Sequence, residues 1–333
     1  MSSPPDKKIR FGRALLELVI FFFVLLLIDN ILGSLVESRR SHATKSFFES
    51  KHLISGNSNY EGIVFGDSFS HYAIDPSAVF RNSGSLVFNF AIWAMKSGDL
   101  PFVVEEGLER IKPRSYAIIG IDLSLLNSAD SAGIFTLGVL SSEVRRIKAI
   151  ISNLDRDSIL KLSRIGRSRE LVATAISEII RGRLGASQSN SEPNSYSRAV
   201  RIEHGFVQLE MDKIPFQPNS KWLQSAPSGG SMAIVGREIR RLQRSGLRVV
   251  LACLPISNEI ADAEDVFIRT SQLITQLREE NSTEVFGCFD KNFMLSFDAK
   301  LFLDSMHLNA TGAALYSEHL GIWIKERKGF LAN

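Results

Sequence analysis

From Ala14 to Val36 the chain reads ALLELVIFFFVLLLIDNILGSLV, and only Glu17 and Asp29 interrupt it with charge. A helix of roughly 20 apolar residues is long enough to cross a bilayer. The run therefore predicts a transmembrane anchor over 14–36. A cleaved signal peptide is the alternative, but the nearest small-x-small cleavage site, Leu32-Gly33-Ser34, is poor. Lys7, Lys8, Arg10 and Arg13 crowd residues 1–13 and mark them as a cytoplasmic tail. Arg39, Arg40 and Lys45 follow closely on the other flank, so the charge bias is not clean. The expectation is a single pass through the inner, cytoplasmic membrane with the bulk of the chain periplasmic. Downstream apolar runs are short and broken by charge.

Composition narrows the partners. The chain has 333 residues, enough for one large domain or two small ones. Its 39 Lys+Arg nearly cancel 36 Asp+Glu, a balance that does not suit a nucleic-acid binder. Two cysteines, Cys253 and Cys288, cannot build a zinc cluster by themselves, and spacing leaves open whether they pair. The six histidines show no metal-ligand spacing and no phosphate-binding glycine loop occurs, so neither metal nor cofactor is expected.

Residues 37–60 are polar and predict a stalk. From Glu61 to about 325, apolar runs alternate with helical patterns. The candidate strands are 61–67, 85–92, 115–122, 247–255 and 283–289, rich in Val, Ile and Phe without strict alternation. Strands of that kind are buried on both faces of a parallel sheet, and the intervening helices predict an α/β fold. Residues 131–230 are too long for one crossover. They predict an inserted cap, with an Arg-rich helical stretch at 161–185 and a hairpin within EHGFVQLEMDKIPF.

Two motifs carry the chemistry. IVFGDSFSH (63–71) ends a strand at Gly66-Asp67 and places Ser68 at the turn into a helix. Backbone N–H groups at such a helix start can hold an oxyanion. The G-x-S-x-G elbow is absent, because Ser70 takes its last glycine's place. FLDSMHLNATGA (302–313) offers Asp304 and His307 from one turn, an orienter and a base for a serine nucleophile. Ser68 alone is also compatible with a helix cap, and Asp304 and His307 alone are better read as a capping Asp and a surface His. His71, one helical turn after Ser68, reads as a supporting or surface residue, and Trp93 and Trp222 read as core aromatics.

Together and in this order, GDSFS and DSMHLNATGA resemble the first and last sequence blocks of the SGNH (GDSL-type) hydrolase family. The resemblance covers roughly Glu61 to Leu320 apart from the insert. It implies a three-layer α/β/α domain with a five-stranded parallel sheet. It implies Ser68 as nucleophile, His307 as base and Asp304 as orienter. For the oxyanion hole it implies the Ser68 N–H and the N–H of Ala94, which stands where the family has glycine; Gly98 is a less suitable substitute. Asn89 matches a common block residue. Asp122 stands where the family has an asparagine donor, and it can serve the hole only if protonated.

The anchor together with altered middle blocks is similar to membrane-anchored SGNH proteins of alginate O-acetylation and teichoic-acid D-alanylation. That likeness implies an esterase or O-acyltransferase acting on cell-surface polysaccharide, beside a multi-spanning membrane-bound O-acyltransferase. The alternatives are a non-catalytic glycan-binding or scaffolding module on the same fold, and an esterase of membrane lipid.

Overall fold

A computed structural model describes residues 42–52, 59–127, 139–141, 196–211, 228–257, 263–288, 297–304 and 306–327, with isolated positions at 20, 24, 136, 145, 146, 148 and 149. The chain divides into two compact units, Met1–Arg40 with Leu154–Ser191, and Ser41–Asn153 with Glu192–Asn333. Only Ile20 and Val24 of the first unit are described. The expected anchor at 14–36, the Arg-rich stretch at 161–185 and Trp222 therefore lie outside the described residues. Among the described residues no helix is long and apolar enough to cross a membrane.

The second unit is built in the order α1 (His42–His52), β1 (Gly62–Phe65), α2 (Ser68–Ala73), α3 (Pro76–Ser83), β2 (Val87–Asn89), α4 (Leu100–Ile111), β3 (Tyr116–Ile121) and α5 (Leu123–Asn127). The hairpin β4 (Tyr196–Glu203) and β5 (Phe206–Met211) follows, then α6 (Gly229–Arg244), β6 (Arg248–Cys253), α7 (Ala263–Asn281), β7 (Glu284–Phe286) and α8 (Ala310–Glu326). Each of the five expected strands is present. They form one parallel sheet in the order β2-β1-β3-β6-β7. This is the doubly wound order in which the chain reverses direction between β1 and β3.

Side-chain alternation assigns two cores to the two faces of the sheet. Ile63, Phe65, Ala117, Ile119, Val249 and Leu251 face α4, α6 and α7, which contribute Val104, Ile239 and Ile274. Val64, Ile118, Val250 and Ala252 face α3 and α8, which contribute Val79, Tyr316 and Leu320. Both faces are apolar because helices cover both, as the continuous apolar strands require.

Two departures from the sequence expectations concern the site. Within the expected stalk, residues 42–52 form α1, which is packed into the domain. Phe47 is fully buried and stacks on Trp93 at 4.4 Å between ring centroids. Lys51 is fully buried too, its Nζ donating to the Asn89 and Gly205 carbonyls at 2.6 Å each and lying 3.3 Å from His71 Nδ1. The helix is amphipathic at i, i+3, i+4 spacing, so Phe47, Ser50 and Lys51 share its inner face. The second departure is the hairpin, which begins earlier than expected and turns at His204-Gly205. It joins α1 and the end of β2, where Asn89 N–H donates to His204 O at 2.8 Å.

Candidate active site

The site grows from the carboxyl ends of β1 and β3. Gly66 turns the chain at φ +150°, and a Cβ there would fall 2.0 Å from Ser70 Oγ. Gly120 on β3 is equally tight against Ser70 Oγ. Two glycines on adjacent strands thus let the first turn of α2 settle onto the sheet edge, with Ser70 fully buried beneath it. Asp67 caps that turn by accepting from Phe69 N–H at 2.9 Å. Ser68 is left as the first helical residue.

His307 arrives from a closed loop ahead of α8. Phe302 and Leu308 pair across it, and Leu303 N–H donates to His307 O at 2.7 Å. Asn309 caps α8 by accepting from Thr311 N–H and Gly312 N–H, each at 3.0 Å. The resulting geometry is a chain of hydrogen bonds. His307 Nε2 lies 2.9 Å from Ser68 Oγ, and His307 Nδ1 lies 2.7 Å from Asp304 Oδ2. Asp304 Oδ1 accepts from the N–H groups of Met306 and His307 at 2.7 Å each. Burial works to raise the Asp304 carboxyl's pKa, but these hydrogen bonds and the imidazole outweigh it and hold the group below its usual value. An ionised Asp304 accepts from Nδ1–H and leaves Nε2 free to accept the Ser68 proton. The rings of Phe69 and Tyr72 flank the imidazole at 5.0 and 5.1 Å.

The other expected residues divide. Ala94 sits in the exposed turn after β2 in the left-handed region, φ +53°. Its loop is stitched to the Ser68 turn by Ile92 N–H donating to Gly66 O at 2.9 Å. Among the described residues neither the Ala94 nor the Ser68 N–H has an acceptor. Gly98 is buried in a single 3-10 turn, Ser97–Asp99. Asn89 is a buried strut, donating to Ile74 O at 2.7 Å and accepting from Ala91 N–H at 3.1 Å. Asp122 works as an acceptor at the start of α5, its Oδ1 taking Ser124 N–H at 2.6 Å and Leu125 N–H at 3.0 Å.

His71 is fully buried against Lys51 rather than exposed, and burial followed by the Lys51 charge pushes its pKa well down. Trp93 is half-buried against Phe47 and Tyr72. Among the described residues no three His, Cys, Asp or Glu gather as a metal site would require. Cys253 and Cys288 form a disulfide with a Cα–Cα distance of 5.1 Å, joining the end of β6 to the segment after β7.

Apart from Asp122, sequence reasoning missed the residues that shape the pocket. A slot of about 20 Å³, lined by Phe69, Asp122, Leu254, Ile256, Val266 and Met306, opens beside the motif residues. Phe69 and Met306 are the neighbours of Ser68 and His307 within the two motifs, and that adjacency was the available signal.

No family profile matches the chain, and neither does any curated protein. A solved structure from Streptococcus pneumonia, provisionally named a platelet activating factor, is similar at 11% identity and a TM-score of 0.38, covering 90% of this chain and 98% of that one. At that score the likeness carries no inference.

Proposed function

We propose that this chain is a serine esterase or O-acyltransferase of the SGNH type. The observation that carries the proposal is the continuous hydrogen-bond chain from Ser68 Oγ through His307 to Asp304, at 2.9 and 2.7 Å. It stands where a sheet of this strand order binds ligands, outside the carboxyl ends of the strands beside the reversal point.

In this reading His307 Nε2 takes the Ser68 proton as Oγ attacks an acyl carbonyl. Asp304 keeps Nδ1 protonated and stabilises the imidazolium that forms. The Ser68 and Ala94 N–H groups hold the oxyanion. His307 then gives its proton to the leaving group, and water or a sugar hydroxyl resolves the acyl-serine. The small slot lined by Phe69 and Met306, the chain neighbours of Ser68 and His307, suits a short acyl group; a volume of ~20 Å³ is little more than the ~10–15 Å³ that one water needs. Hydrolase and transferase use the same residues and differ in whether water reaches the acyl-enzyme.

The Cys253–Cys288 disulfide supports an extracytoplasmic site, since such bonds persist in oxidising compartments. The apolar run at 14–36 supports membrane attachment. Cell-surface polysaccharide as acceptor, with a membrane-bound acyltransferase as partner, rests on the resemblance alone.

The test is fluorophosphonate labelling and p-nitrophenyl acetate turnover by the full chain in detergent, beside Ser68→Ala and His307→Ala. The expected result is labelling and turnover in the parent, with both lost in the variants. A folded parent that does neither would overturn the proposal and restore the scaffolding alternative.

A further inference from the structure

Two carboxyl groups bracket Ser68, and among the described residues neither is in a salt bridge with Lys or Arg. Asp67 immediately precedes Ser68 and is 1% exposed. Asp122, at the end of the adjacent strand β3, is 8% exposed. Each has one oxygen engaged with backbone: Asp67 Oδ1 with Phe69 N–H, and Asp122 Oδ1 with the N–H groups of Ser124 and Leu125. Asp122 Oδ2 is buried and has no ordinary donor within reach. What it does meet is the carboxyl of Asp67.

A buried acceptor without a donor carries the penalty of its lost hydration uncompensated, and two ionised carboxylates in contact would add their repulsion. A single proton between them removes both penalties. The caps indicate where it resides. Asp122 takes two backbone N–H groups on one oxygen, which favours its charged form, so Asp67 is the donor. Burial, then the repulsion of Asp122, push Asp67 well above the usual carboxylate range; burial raises Asp122 too, but its bonds to Asp67 and to two backbone N–H groups oppose that rise. The remaining neighbours leave this arrangement intact. The Ser124 side chain hydrogen-bonds Asp67 and favours its charge, a smaller effect than burial and the Asp122 repulsion; the imidazole of His307 faces Asp122, and the Leu254–Ile256 wall and Thr270 of α7 carry no charge.

We propose that Asp67 and Asp122 share one proton, and that this neutral link is a positioning element clamping the Ser68 turn to the end of β3. The role rests on the esterase reading, but the proton itself does not. Asp122 is thereby a partner of Asp67 instead of the missing oxyanion donor. An asparagine at either position would supply the same link, its amide N–H replacing the carboxyl O–H while its oxygen keeps the cap.

The experiment has two arms on the full chain in detergent. The first is infrared spectroscopy at about pH 6, where an ordinary aspartate is more than nine-tenths ionised. The expected result is a protonated-carboxyl C=O band in the parent, lost in Asp67→Asn and in Asp122→Asn. A parent without that band overturns the shared proton. The second arm compares p-nitrophenyl acetate kinetics. Asp122→Ala should lower kcat by about 10² with KM held, the scale of a misplaced reacting group, and Asp122→Asn, which keeps the link, should recover most of that loss. If Asp122→Asn falls as far as Asp122→Ala, or rises more than about tenfold by acting as an oxyanion donor, the positioning role is overturned. The band is read without turnover. A chain that shows it yet neither labels nor hydrolyses therefore refutes the serine chemistry and leaves the shared proton standing.

Discussion

Phe47→Ala is the sharpest probe of where the folded domain begins. The ring is fully buried, stacks on Trp93 at 4.4 Å and meets His71 edge-on at 5.4 Å. Truncating such a phenylalanine costs about 3–5 kcal/mol in transfer and cavity energy. The lost stacking is worth about 0.5–1.5 kcal/mol and falls within that range. For a domain of this size each kcal/mol moves the midpoint by about 2–4 °C. The variant should therefore melt roughly 6–20 °C lower, as read by circular dichroism on the full chain. Phe80→Ala is the control, because that ring is 49% exposed and its loss should stay within about 0.5 kcal/mol. Trp93 lies beside Ala94, so tryptophan emission should shift and esterase turnover fall in the same variant. A loss below about 1 kcal/mol with unchanged emission would refute the reasoning. Residues 42–52 would then be a stalk after all.

Further outcomes follow from the same geometry. Asp304→Asn should leave the fold intact and lower kcat by about 10⁴, because an amide at that position favours the wrong imidazole tautomer; a steady-state comparison with the parent checks it. Breaking the disulfide with Cys253→Ser and Cys288→Ser together should cost roughly 3–4 kcal/mol for a closed loop of 35 residues, visible as a lower urea midpoint. Reductant should produce the same shift in the parent and none in the variant. The small slot beside Phe69 and Met306 should make p-nitrophenyl acetate a better substrate than the hexanoate, and Val266→Ala should narrow that gap. Equal kcat/KM for both chain lengths in the parent would show that the slot does not receive the acyl group.

Local patterns made the sheet and the three motif residues legible. Each strand is a short run rich in Val, Ile or Phe, three of them (β1, β3 and β7) are closed by Gly or Asp, and Asp304 and His307 occupy a single turn. Less legible was everything that depends on which strands are neighbours. Asp67 and Asp122 are 55 positions apart and meet only because β1 pairs with β3. Lys51 was hidden for a different reason. HATKSFFESKH has a polar average, and its buried face holds a serine and a lysine that are satisfied by backbone carbonyls of Phe47, Asn89 and Gly205. Composition reports solvation only where polar groups are answered by water, and here the protein answers them. The cysteines illustrate a third case, since their pairing needs β6 and β7 side by side.

The separation of 239 positions between Ser68 and His307 also bears on biogenesis. A chain that emerges in order delivers its nucleophile early and its base late. Until α8 has docked through Ala313, Tyr316 and Leu320, the Ser68 hydroxyl is an ordinary alcohol with no partner to take its proton. If Ser68 is the nucleophile proposed above, a nascent or truncated polypeptide exposes no reactive serine while its synthesis is incomplete. In the proposed chemistry, the ability to attack an acyl donor arrives with completion of the fold, and the safeguard is the order of the sequence itself.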